Sequence, residues 1–379
     1  MDDLPPPHLE IPPLLKTPPV ITPPPARAGG RTWLWVFLTV LVLGLAGMGY
    51  LVKSVFDVID FAEPYERGGR GKPMLLETSV SGSSSSDKIV IIDVDGIITS
   101  MAMATYGQNM VDVIQEQFDM ASKDRDVKAV ILKIDSPGGE VMASDDIARA
   151  VREFQKKTKK PVIASMGSLA ASGGYYVAAP CRWIVASQLT ITGSIGVIMQ
   201  SVNYRGLMDK VGVLPLVFKS GRFKDMLSMT KNPADIDPAE GKMIMEMIME
   251  TYDRFTQVVA DGRGDAALIN KTNGRTLVPD WKDYADGRIL TGSKAYNLGF
   301  VDELGNFNTA VKTAEKLAEI EGEAHLIRYE EPFNIGNLLG LFGEVRSSSK
   351  ALKLDIGLDL PKLRVGMPYF ILSTTVADP

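Results

Sequence analysis

The sequence predicts an α/β fold, a mostly parallel sheet covered by helices, preceded by one transmembrane helix. Three observations carry this. From Lys88 to Ser187, β-branched runs alternate with stretches of helical spacing, the pattern of βαβ units. Strings of small residues follow several of those runs, where open parallel sheets place their sites. Residues 33–52 are twenty in a row without a charge. At about 1.5 Å per residue they reach across a hydrocarbon layer roughly 30 Å thick.

Around that span the chain sorts into five pieces. Residues 1–32 are rich in proline, with Pro5–Pro7, Pro18–Pro19 and Pro23–Pro25, and read as an extended cytoplasmic tail. Residues 33–52 are the anchor, flanked by the interfacial aromatics Trp33, Trp35 and Tyr50. Arg27 and Arg31 lie before it, while Lys53, Asp57, Asp60 and Glu63 follow. The positive-inside rule therefore puts the tail inside and the body outside. That is a single-pass membrane protein with its body outside the cytoplasm, its lipid partner met through the anchor. Residues 53–87, with Gly68–Gly71 and the serines from Ser81, read as a linker. Residues 88–346 form the folded body and 347–379 a C-terminal tail.

Each element of the body follows from its own pattern. Lys88–Asp95 (KIVIIDVD) and Val127–Asp135 (VKAVILKID) read as buried strands, and Pro161–Met166 and Arg182–Ser187 as further strands. Met110–Ser122 and Glu140–Gln155 carry helical spacing, and a helix is expected over Ala170–Ala179. Pro238–Gly262 reads as a long helix capped by Asp237. Its Met243, Met245, Met247 and Met249 are expected as core or interface filler.

Composition narrows the chemistry. The 379 residues are 45% hydrophobic, and 41 basic against 46 acidic residues give a net charge of −5. No strongly basic surface is implied, so a nucleic-acid partner is not expected. One cysteine, Cys181, rules out an intrachain disulfide and a Cys-rich zinc site. Two histidines, His8 and His325, leave no His-rich metal centre.

Four short strings carry chemistry. Asp135–Gly139 (DSPGG) ends a strand, and its glycines let the backbone approach a ligand. Gly139 is expected to open a helix whose free N–H groups hold an oxyanion, although a plain turn explains the string equally well. Ser165–Tyr176 (SMGSLAASGGYY) runs from a strand into a helix. Ser172 sits there among small residues, with the Gly173 N–H as a second oxyanion donor. An N-capping serine is the plain alternative. Thr192–Val197 (TGSIGV) contains Ser194, and Ser220–Asp225 (SGRFKD) contains Lys224; alone, these read as a turn and a solvated surface lysine.

A nucleophilic serine needs a base. His8 lies in the tail and His325 in an ordinary segment, so a Ser–His pair is hard to build. A lysine serves instead if an apolar pocket lowers its pKa from about 10.4 toward neutrality. Phe223 and Ser194 suit such a pocket and its orienting hydroxyl. The residues alone do not select Lys224 over the other lysines.

The ordered set SPGG, ASGGYY, TGSIGV and GRFKD resembles the signal peptide peptidase A family in its short, single-repeat form. Asp286–Gly292 (DGRILTG) and Val301–Gly305 (VDELG) extend the likeness, which covers roughly 88–328. The resemblance implies a Clp/crotonase-type spiral of βαβ units and a membrane-anchored serine peptidase that cleaves peptide bonds. By position, Ser172 matches the nucleophile, Lys224 the general base and Ser194 the hydroxyl holding the lysine amine. Gly139 and Gly173 match the oxyanion donors, with Gly138 beside them. It further implies peptide substrates such as signal-peptide remnants, no cofactor or metal, and a homo-oligomer: a ring or dome such as an octamer, its sites shared between protomers. Phe223 stands where the family often has tyrosine, and the proline-rich tail is an addition. Three other readings share part of the pattern: a SohB-type membrane protease with protein substrates, an acyl-CoA hydratase of the crotonase type, and an inactive membrane scaffold.

Overall fold

The computed structural model describes residues 73–81, 85–101, 109–331 and 369–371, together with Thr39. The expected anchor at 33–52 lies, but for Thr39, outside them, as do the tail 1–32 and most of 347–379. Among the described residues, no helix is long and apolar enough to cross a membrane.

The chain builds a mixed α/β fold on a largely parallel sheet. In chain order the strands are β1 (Leu76–Ser79), β2 (Lys88–Asp95), β3 (Val127–Ser136), β4 (Gly138–Glu140), β5 (Val162–Ala171), β6 (Trp183–Ala186) and β7 (Ile191–Gly193). They continue with β8 (Ile289–Thr291), β9 (Glu303–Leu304), β10 (His325–Glu330) and β11 (Tyr369–Ile371). The helices are α1 (Met110–Lys123), α2 (Val141–Thr158), α3 (Gly173–Ala178), α4 (Arg205–Lys210), α5 (Pro238–Asn270), α6 (Gly292–Asn297) and α7 (Phe307–Leu317). The main sheet runs β1-β10-β2-β3-β5-β6-β9, with β7 on β5 and β8 on β7. Among the described residues, only β1 and β8 pair antiparallel within it.

Period-2 alternation sorts the strands onto two faces. Val90, Ile92, Val130, Leu132, Val162 and Ala164 join Ile114 and Phe118 of α1 and Ile147 and Val151 of α2 in one core. Their neighbours Ile89, Ala129, Ile131, Ile163 and Val185 face Ala310 and Ala314 of α7 in another. Burying both faces explains why β2, β3 and the start of β5 are continuous apolar runs.

Two segments depart from expectation. Leu76–Ser79, inside the stretch expected as linker, is an exposed polar strand that pairs with β10. The strand expected to stop at Met166 continues to Ala171. Its register against β3 jumps from Ile134↔Met166 to Ser136↔Ala170. Asp135 fills the jump, accepting a bond from the Leu169 N–H at 3.1 Å. There Leu169–Ala171 also pair with β7, on the other edge of the strand. The small residues that look like a turn are therefore a bulged strand.

Candidate active site

The site is built where β3, β5 and β7 end. Ser172 closes β5 and caps α3 with φ 53 and ψ −116, a conformation a β-branched or bulky residue rarely holds. Its backbone N–H donates to the Gly193 carbonyl at 2.8 Å, which joins it to Ser194, also at positive φ (50). Two adjacent serines in sparsely populated backbone conformations mark a site the surrounding fold holds in place. Ser172 is 1% exposed, and its Oγ meets no hydrogen-bond partner among the described residues. It makes no capping bond, so the plain N-cap explanation does not hold. Gly174 sits against the end of β3, where a Cβ would come within 2.9 Å of the Ser136 carbonyl oxygen.

Beside Ser172 runs β4. Gly139 was expected to open a helix; it lies instead inside this short strand, and α2 begins at Val141. The reason is pairing. The Ile98 N–H donates to the Gly138 carbonyl at 2.9 Å, and the Glu140 N–H donates to the Ile98 carbonyl at 2.8 Å. No side chain fits at Gly139, because a Cβ would stand 1.9 Å from the Ile98 oxygen. Strand alternation turns the Gly139 N–H toward the opposite edge.

That edge is occupied. β11, from the C-terminal tail, pairs antiparallel with β4 in the register Tyr369↔Glu140, Phe370↔Gly139 and Ile371↔Gly138. On its other side Tyr369 exchanges bonds of 3.0 and 3.1 Å with Ile198, just beyond the TGSIGV string. The cleft thus holds an extended chain between two flanking segments. Tyr369 itself is buried.

Lys224 is not brought to Ser172 within the chain. It lies exposed on an arm of residues 201–250, and no hydrogen bond joins it to Ser172 or Ser194. The cations around it are engaged. Lys219 and Lys231 pair with Asp225 at 2.8 and 3.3 Å, and Arg222 pairs with Asp237. The bond from Lys219 comes first among the causes that hold the Asp225 carboxyl below its ordinary value. Phe223 stacks beneath Arg222, 4.8 Å from ring centroid to guanidinium carbon. The arm exposes Leu207, Val211, Leu214, Leu216 and Phe218. Met245, Met247 and Met249 are exposed too, so they fill no core of the single chain.

The arm is anchored behind the site. The C-terminal half of α5 packs on α3, with Phe255 edge-on to Tyr176 at 4.9 Å between centroids. Arg263 and Asp302 form a fully buried ion pair. Asp302 also accepts from the Ile184 N–H at 2.9 Å and the Arg275 N–H at 3.2 Å. Tyr176 donates to Asp145 at 2.5 Å; burial, then this bond, raises the phenol's pKa.

His325, at the start of β10, pairs with Lys88 at the start of β2, the end of the sheet away from Ser172. Eight residues of β2 separate those ends, about 25 Å at 3.3 Å per residue. Among the described residues, no three His, Cys, Asp or Glu side chains converge to hold a metal ion. One buried polar group at the site carried no signal in the sequence. Glu140 follows the glycines, and its carboxylate turns back to Thr99 and Ser100.

Residues 154–321 match peptidase family S49. A signal peptide peptidase SppA of Enterococcus faecium is 35% identical over 264 residues, covering 69% of this chain and 72% of that protein. The chain belongs to peptidase family S49. A protease of Synechocystis is 36% identical over 251 residues, 66% of this chain and 82% of the relative. The chloroplastic serine protease SPPA of Arabidopsis thaliana is 32% identical over 238 residues, 62% of this chain and 33% of the relative. The chain is thus an S49 serine protease, and as a peptidase it acts on peptides.

Proposed function

We propose that this S49 protease is a membrane-anchored endopeptidase in which Ser172 attacks the peptide bond and Lys224 is its general base. Ser172 carries the reading: a buried, unpartnered hydroxyl on a strained strand-to-helix turn, beside backbone N–H groups that face an extended chain. Neutral Lys224 takes the Ser172 proton as the oxygen attacks the carbonyl carbon. The Gly139 and Gly173 N–H groups, with Gly138 shaping the turn, hold the tetrahedral oxyanion. The lysine then gives its proton to the leaving amine, and water releases the acyl group. Ser194 orients the lysine amine. A lysine desolvated in an apolar site surrenders its proton more readily than one in water.

The exposed arm favours a shared site. Among the described residues Lys224 makes no ion pair while Lys219, Arg222 and Lys231 do, and its segment leaves Leu207, Leu214, Leu216 and Phe218 exposed. A second copy supplies both the cover and the serine, in a ring or dome. The substrate is an extended peptide adding a strand to β4. The names of the relatives and the uncharged stretch 33–52 point to remnants of signal peptides and other membrane-associated peptides, cleaved outside the inner membrane. The bulged β5 and its switch to β7 fit a Clp/crotonase-type spiral.

The test is cleavage of a fluorogenic apolar peptide by the full chain. Ser172→Ala and Lys224→Ala each lower kcat at least about a thousandfold, and mixing the two variants restores part of the rate. Retention of wild-type rates by either variant refutes the dyad; no recovery on mixing refutes the shared site.

A further inference from the structure

Glu140 is buried at 6% exposure, and no cation pairs with it among the described residues. A buried carboxylate is costly unless donors satisfy it. Three do. Thr99 Oγ1 donates to Oε1 at 3.1 Å, the Ser100 N–H to Oε2 at 2.8 Å, and Ser100 Oγ to Oε2 at 2.6 Å. Although Glu140 is the cap residue of α2, its side chain makes no capping bond. The whole carboxylate is spent on the loop across from β4. That loop also carries Ile98, whose backbone holds one edge of β4 on either side of Gly139. The other edge of β4 meets the extended chain in the cleft.

We propose that Glu140 is a positioning residue for the hydrolysis. By tying Thr99 and Ser100 down, it fixes the Ile98 bridge, and so fixes the direction of the Gly139 N–H toward the peptide carbonyl. The role rests on Ser172 being the nucleophile. It acts on the developing oxyanion more than on the bound peptide, because charge builds on the carbonyl oxygen at that N–H only as the reaction proceeds. Glutamine keeps the size of the side chain. Its one acceptor oxygen can keep the Ser100 donors, but the N–H₂ then stands where Thr99 Oγ1 donates, so that bond must reverse and the negative charge is lost.

The experiment uses the full chain in detergent, a fluorogenic peptide, and two non-cleaved ligands of one sequence, a peptide aldehyde and a peptide alcohol. The aldehyde adds to the serine and forms an oxyanion; the alcohol does not. Glu140→Gln is expected to lower kcat and aldehyde affinity about 10- to 100-fold, with KM and alcohol affinity within about twofold. Ser100→Ala, which removes one donor and keeps the rest, moves the same two quantities in the same direction by a smaller factor. It serves alone should Glu140→Gln fail to fold. Equal losses for aldehyde and alcohol, or an unchanged kcat in the folded variants, overturn the role. A wild-type enzyme that binds the aldehyde no better than the alcohol overturns the nucleophile reading itself, and Glu140's role with it.

Discussion

Gly139 and Phe370 face each other across an antiparallel pair, so that the chain's own C-terminal segment lies along the strand proposed to bind substrate. Tyr369 is held from the far side by two backbone bonds to Ile198. This segment and a peptide substrate would compete for the same edge. A chain ending before Tyr369 is therefore expected to show a KM for short fluorogenic peptides several-fold lower than the full chain, with kcat little changed. An unchanged KM would mean that β11 does not compete.

Gly139 tolerates no side chain. In Gly139→Ala the new methyl would stand 1.9 Å from the Ile98 oxygen, and β4 must move away from its partner. The expected loss of kcat is about 10²- to 10³-fold, the cost of removing one oxyanion donor. Steady-state kinetics on the folded variant check it; a loss below tenfold would remove Gly139 from the site.

Arg263 and Asp302 tie α5 to the sheet without access to water. Replacing one partner leaves the other charge buried alone, which typically costs about 3–5 kcal/mol. Asp302→Asn should accordingly unfold at markedly lower denaturant concentration in equilibrium titrations. Replacing both partners with apolar residues should recover much of the loss. A single variant as stable as the wild type would contradict the assigned burial.

The acid limb of stability has a defined origin. Burial opposes ionisation of Asp145, but the Tyr176 bond and Arg254 outweigh it and hold its carboxyl below the ordinary value. Asp124 is lowered similarly: burial opposes, while the Asp126 N–H and Lys88 prevail. A depressed folded-state pKa gives stability that is present above the unfolded value, about 3.9, and lost as pH falls through the folded value. Stability should hold from neutrality to about pH 4 and decline below it, with a shallower decline in Asp145→Asn. Unfolding midpoints between pH 7 and pH 2.5 test this.

The contrast between what the sequence reveals and what it hides is physical. Buried parallel strands announce themselves, because both faces of β2 and β3 need apolar residues. Strands β1 and β11 do not, since edge pairing rests on backbone bonds that any residue supplies. The string GGE looks like a turn and a helix start; Ile98, some forty residues before it, and β11, far after it, make it a strand. The same holds at the site. Ser172 and Ser194 lie close together at the ends of β5 and β7, which the strand pattern before each string foreshadows. Lys224 stands apart on the arm, and nothing local to SGRFKD tells where its amine goes. Glu140 gives no sign of its place, because a glutamate at a helix start reads as a solvated residue and its partners Thr99 and Ser100 lie some forty residues earlier.

Hydrolysis as proposed requires that Ser172 be activated by an amine that another segment delivers. The direct measurement is covalent labelling of the full chain in membranes by a fluorophosphonate probe, with the modified peptide located by mass spectrometry. The predicted result is a single adduct on Ser172 in the wild type, lost in Lys224→Ala while the variant keeps the wild-type unfolding temperature. Labelling of a different serine, or Ser172 labelling at an undiminished rate without Lys224, would contradict it.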